Sequence, residues 1–120
     1  MLNLTSVMIG TKQPKVLATF YEKALGKPAD MVDSDNGFSG WQVGSGFISV
    51  LDHSEMGGKT KDPGRVMFIF ETPQVKDEFE RLKAIGASVV KEPYEIGNGW
   101  IGTLADPDGN YFQLMSPMGQ

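Results

Sequence analysis

Two stretches of this 120-residue chain repeat one another, and the repeat limits the folds open to it. Val7, Met8, Pro14, Val16 and Phe20 recur as Val66, Met67, Pro73, Val75 and Phe79, at a constant offset of 59 residues. A glycine closes each copy, Gly26 and Gly86, the second arriving one residue late. A period of about 60 exceeds the roughly 20–50 residues of solenoid repeats and suits a duplicated supersecondary module. In each copy an apolar strand runs into a proline suited to the first helical position, where a missing N–H costs nothing. Thr72 is a natural N-cap for the second helix, and Gln13 a poorer one for the first. The first helix places Val16, Phe20 and Ala24 on one stripe with Leu17 beside it; the second places Val75, Phe79 and Leu82 there, then Ile85. Gly26 and Gly86 are placed for left-handed caps.

Three extended pieces are expected after each helix. They are 29–32, 38–43 and 47–51 in the first half, and 88–90, 100–104 and 111–115 in the second. The polar, glycine-containing stretch 53–64 serves as linker between a module at about 1–52 and a module at about 65–120. Two βαβββ modules give one α+β domain over residues 1–120, with two helices and a cupped, eight-stranded mixed sheet.

Composition removes several classes. The chain has no cysteine, so disulfides, thiol catalysis and zinc–sulfur sites are excluded together. Its net charge is −4 with basic residues scattered, whereas nucleic acid requires a basic face. No stretch approaches the roughly 18 apolar residues of a membrane span. The first residues lack a basic segment followed by an apolar core, so a cytoplasmic address is expected.

The most specific local signal is Asp106-Pro107-Asp108-Gly109-Asn110, a tight reversal in which Pro107 fixes φ and Gly109 supplies a positive φ. It is followed by the short apolar strand Tyr111, Phe112, Gln113, Leu114. Together with Phe20-Tyr21-Glu22-Lys23-Ala24-Leu25-Gly26 and Phe79-Glu80-Arg81-Leu82-Lys83-Ala84-Ile85-Gly86, this ending resembles the vicinal oxygen chelate superfamily. That group holds glyoxalase I, extradiol dioxygenases and bleomycin-resistance proteins. The resemblance runs from Leu4 to Pro117, and implies the paired-module fold and a homodimer. It also implies a divalent metal, held by two histidines and a glutamate from the first and last strands of each module. A glutamate would stand three residues after Asn110, and this chain has Gln113 there. The other ligand positions fall at Ser6, Ser49 and Met67. A two-residue slip would substitute Met8 for Ser6, or Arg65 or Ile69 for Met67, and none of these is a usual ligand.

The whole chain has one histidine, His53, so a two-histidine site cannot be built within it. His53 reads either as a surface linker residue or as a proton-transfer group over a cavity. An all-carboxylate site from Asp52, Glu55, Glu71 or Glu95 stays open, without a spacing that favours it. The expected state is therefore cofactor-free.

By strand alternation, one concave surface is expected to collect Ser6, Met8, Trp41, Phe47, Ser49, Met67, Ile69, Trp100, Tyr111, Gln113 and Met115. Apolar walls with a few neutral polar groups suit a small-molecule pocket, with Ser6, Ser49 and Gln113 orienting the ligand. The same residues would equally close a packed core or a dimer interface. Stretches 53–63 and 94–99 are expected as rim loops. Two functions remain open: a metal-independent binder of a small aromatic or amphipathic molecule, and a lyase, isomerase or dioxygenase with a non-standard ion or metal-free acid–base chemistry. No nucleophile with an adjacent base is evident. A structural dimer with a filled cavity is a third reading.

Overall fold

The computed structural model describes residues 1–53 and 55–117. The chain forms two compact units, Met1–Gly58 and Lys59–Gln120. Together they hold two α-helices and two four-stranded mixed sheets, which is the expected fold class.

The first unit runs β1 (Ser6–Thr11), α1 (Pro14–Leu25), β2 (Met31–Asp33), a 3-10 turn (Ser34–Asn36), β3 (Phe38–Val43) and β4 (Gly46–Asp52). Its strand order is β1-β4-β3-β2, with β1 and β4 parallel. Pairing fixes the facing of every residue, because side chains alternate along a strand. Ile9, Thr11, Trp41, Ile48 and Val50 share the face that α1 covers with Leu17, Phe20 and Tyr21, and all of these are buried. Ser6, Met8, Gly40, Phe47 and Ser49 share the other face, which carries no helix.

The second unit runs β5 (Phe68–Glu71), α2 (Val75–Ala84), β6 (Ser88–Ile96), β7 (Gly99–Ala105) and β8 (Tyr111–Met115). The order is again matched, β5-β8-β7-β6, with β5 and β8 parallel. Here Val75, Phe79 and Leu82 of α2 cover Leu104, Phe112 and Leu114. Phe68 stacks on Phe112 at 5.8 Å between centroids. Gly102 lies under Phe79, where a Cβ would sit 2.9 Å from the ring. The opposite face collects Ile69, Glu71, Ile101, Thr103, Ala105, Tyr111, Gln113 and Met115.

Both helices begin in the same way. The Thr11 hydroxyl accepts the Gln13 amide at 3.0 Å, and the Thr72 hydroxyl accepts the Gln74 amide at 3.1 Å. The N-caps are Gln13 and Gln74, so Thr72 is not the cap but holds the turn two residues ahead of it. These equivalent positions lie 61 residues apart, not 59. The sequence match aligns two prolines with different jobs: Pro14 opens α1, whereas Pro73 precedes the α2 cap. The α1 stripe also shifts. It is Leu17, Phe20 and Tyr21, while Val16 is exposed.

Two expected boundaries move. The strand placed at 29–32 forms at Met31–Asp33, because the Asp30 carboxylate accepts the Gln42 amide (2.7 Å) and the Lys27 ammonium (2.9 Å) and secures the chain ahead of the ladder. The piece placed at 88–90 extends to Ile96 through two register shifts against β7. Most of the expected rim loop 94–99 is therefore strand, with only Gly97 and Asn98 outside it.

Candidate functional site

The turn that dominates the sequence is built for folding. The buried Asp106 carboxylate accepts the backbone amides of Asp108 and Asn110, both at 2.9 Å, and the Asn110 side-chain amide. The Thr60 hydroxyl reaches the Asn110 side-chain oxygen at 2.9 Å, and the Thr60 amide donates to the Asp108 carbonyl at 3.2 Å. Asp106 and Asn110 thus close the hairpin and fasten the segment leading into the second unit. What the turn positions is β8, and with it Gln113.

On the helix-free face of the second sheet, Gln113 donates through Nε2 to the Thr103 hydroxyl at 3.1 Å. Ile69 pairs with Gln113 in register and is 53% exposed. Tyr111 lies two residues before Gln113 on the same face. Met67 precedes β5 and is also exposed. On the helix-free face of the first sheet, Ser49 is only 3% exposed, while its register partner Met8 is 61% exposed. Ser6 pairs with Phe47 instead. The Phe47 ring lies over Gly40, where any Cβ would collide with it.

Two expected members of this set fail to face with the others. Trp41 pairs with Ile48 on the α1 side, is 1% exposed, and donates its indole N–H to the Lys27 carbonyl at 3.1 Å. Trp100 has the parity of Leu104, on the α2 side, and the Lys76 ammonium sits 3.6 Å from its ring centroid. Alternation alone does not say which parity faces the helix, and the ladder pairings put both tryptophans on the helix side.

The family's usual ion does not fit these side chains. Ser6, Ser49, Met67 and Gln113, or Met8 and Ile69 after a slip, offer no imidazole and no carboxylate. The carboxylates held open by the sequence are dispersed. Asp52 and Glu95 have helix-side parity, and Glu71 alone lies on an open face. Among the described residues no three of His, Cys, Asp and Glu are grouped to hold a metal. His53 has a local structural role. Its amide donates to the Thr11 carbonyl at 2.8 Å, its Nδ1 accepts the Glu55 amide at 3.2 Å, and its Cβ approaches Gly10 on the helix-free side.

Sequence reasoning missed Thr103 and the cations Lys61 and Arg65, which lie with Tyr111 around one open cleft. Thr103 was recoverable: counting outward from the turn, Ala105 meets Tyr111 and Thr103 meets Gln113. The cleft was not, since it depends on how 61–65 folds.

Two βαβββ units with matched strand orders define a fold of the vicinal oxygen chelate class. Residues 6–115 match the glyoxalase-like domain family, and the chain belongs to that family. No curated protein matches it. Solved structures share the fold at low identity. A glyoxalase-related enzyme from Fulvimarina pelagi is 17% identical with a TM-score of 0.80, over 98% of this chain and 89% of that one. A glyoxalase/bleomycin resistance protein/dioxygenase family enzyme from Burkholderia phytofirmans PsJN is 23% identical with a TM-score of 0.74, over 96% and 98%. A glyoxalase/bleomycin resistance protein from Albidiferax ferrireducens T118 is 20% identical with a TM-score of 0.75, over 95% and 98%.

Proposed function

We propose that this chain is a metal-independent, small-molecule-binding member of the glyoxalase-like family. The observation that carries the reading is the chemistry at the ligand positions the resemblance implies, Ser6, Ser49, Met67 and Gln113, where two hydroxyls, a thioether and an amide stand in place of imidazoles and carboxylates. Neutral side chains of this kind bind and orient an organic molecule without having to neutralise an ion. Thr103 and Gln113 form a hydrogen-bonded pair on a face whose neighbour Ile69 is open. The amide and hydroxyl retain donor and acceptor capacity beyond their mutual bond. Within the same unit the exposed Met67 adds flexible, polarisable surface suited to an aromatic or aliphatic body.

Apolar contact alone supports only weak binding. Covering about 200 Å² of apolar surface gains about 5 kcal/mol, and association costs on the order of 4 kcal/mol or more. Polar groups on the ligand must supply the difference.

The proposal includes a homodimer, suggested by the family's habit of pairing modules, and a cytoplasmic address. No helix among the described residues is long and apolar enough to cross a membrane. The test is native mass spectrometry of untreated protein, with elemental analysis of the same sample. The expected result is a dimer without a stoichiometric divalent ion. One ion per chain, lost on chelation together with a measurable turnover, would overturn the metal-independent reading in favour of the enzymatic one.

A further inference from the structure

A cleft beside Tyr111 gathers more cations than carboxylates. It is an open recess of about 440 Å³ lined by Lys61, Asp62, Pro63, Gly64, Arg65 and Tyr111. The backbone turns at Asp62, whose carbonyl accepts the Arg65 amide at 3.1 Å, and a Cβ added at Gly64 would meet the Tyr111 ring at 3.9 Å. The chain as a whole carries −4, yet this lining carries two cations and one carboxylate. Among the described residues neither Lys61 nor Arg65 stands within ion-pair distance of a carboxylate, Asp62 included. Both side chains stand exposed.

Tyr111 links this recess to the helix-free face of the second sheet, because it shares that face with Gln113. Passing from the recess along β8, the surface offers two cations, a phenol, and then the Gln113–Thr103 pair beside the open Ile69. A molecule complementary to that sequence of groups has an anionic head and a compact apolar body.

We propose that the ligand is a small organic carboxylate whose anionic head is held by Arg65 and Lys61 while its body lies against Tyr111 and Ile69. The inference rests on the binding reading above and adds the ligand class to it. A guanidinium is suited to the head because its planar fork matches the two oxygens of a carboxylate, and the lysine acts as a second point charge. Both charges are solvated, so the attraction is screened by salt and contributes selectivity more than depth of binding.

The test uses matched probes: phenylacetate, 2-phenylethanol and 2-phenylethylamine, with octanoate and 1-octanol as an aliphatic pair. Each is titrated into the full-length protein at low salt while the Met67 methyl and Gln113 side-chain amide resonances are followed by NMR. The carboxylates should bind about tenfold more tightly than their alcohols, with the amine weakest. Arg65→Ala should remove most of that preference, Lys61 keeping a remnant, without altering affinity for the alcohols, and Arg65→Lys should restore part of it. Raising the salt should weaken only the carboxylates. If alcohols and carboxylates bind the face equally, or Arg65→Ala leaves the preference intact, the anion assignment falls and the binding face stands. If no probe perturbs the face, both readings fall.

Discussion

Gln113 and Thr103 face each other across the β7–β8 ladder, joined by a 3.1 Å bond from the side-chain amide to the hydroxyl. The position at which metal-dependent relatives would present a carboxylate is thus occupied by a donor already engaged with its own sheet. Gln113→Ala should cost about 1 kcal/mol, the usual net value of one such bond, and leave the nearly buried Thr103 hydroxyl without this donor. Urea unfolding would read the cost directly. A larger loss, above about 3 kcal/mol, would show that Gln113 supports the fold and not only the surface.

Asp106 should be the more expensive residue. Its carboxylate is 2% exposed and takes the amides of Asp108 and Asn110 as well as the Asn110 side chain. Charge-assisted bonds to a buried acceptor are stronger than neutral ones. Asp106→Ala should lose about 2–4 kcal/mol, since buried amides are stranded as well as bonds lost. Thr60→Ala, which removes only the exposed bond to Asn110, should lose under about 1 kcal/mol. Equal effects in denaturant titrations would contradict the assignment of Asp106 as the clamp.

The contrast between these two sites shows what the sequence made legible. The repeat with its capping glycines was enough for two βαβββ units, because strand–helix–strand periodicity is a local property. The absence of ligand chemistry was also readable, since one histidine and no cysteine cannot form the family's usual metal set. Facing was harder. Alternation counted Trp41 and Trp100 toward the open surface, yet their ladder partners Ile48 and Glu95 place them on the helix side. Alternation gives parity within a strand but not which parity points to the helix, and an aromatic fits either side. The offset of 59 erred for a related reason: it followed identical letters, while the structure equates the two threonines that start the helices. The cleft at 61–65 had no periodic signal at all.

Two glycines make opposite predictions. At Gly102 an added methyl would press on the fully buried Phe79 ring at 2.9 Å, with Pro93 at 3.3 Å on the same side. The helix cannot yield cheaply, so Gly102→Ala should cost about 1–3 kcal/mol, the range for an overpacked core. At Gly40 the obstacle is the Phe47 ring, on the helix-free face and only half-buried. There the ring can swing away. Gly40→Ala should cost less in a urea titration and shift the Phe47 ring resonances. A Gly40 variant as unstable as the Gly102 variant would mean that Phe47 is locked in place.

The surface of α2 gives a pH-dependent prediction of small size. Arg81 donates from Nε and Nη2 to the two oxygens of Glu78 at 3.0 and 3.1 Å, and that hydrogen bonding holds the Glu78 carboxyl below its ordinary value of 4.5. A depressed carboxylate stabilises the fold above its unfolded pKa, and the contribution disappears as pH falls through the folded pKa. Both side chains are more than one-third exposed, so screening limits the pair to about 0.5 kcal/mol. Glu78→Gln should therefore be slightly less stable than the parent at pH about 7, and equal to it at pH about 2.5, below the carboxylate range. The measurement is the difference in urea midpoint between the two proteins at each pH. A difference that persists undiminished in acid would trace the effect to helix packing, because a protonated Glu78 no longer offers Arg81 a charge.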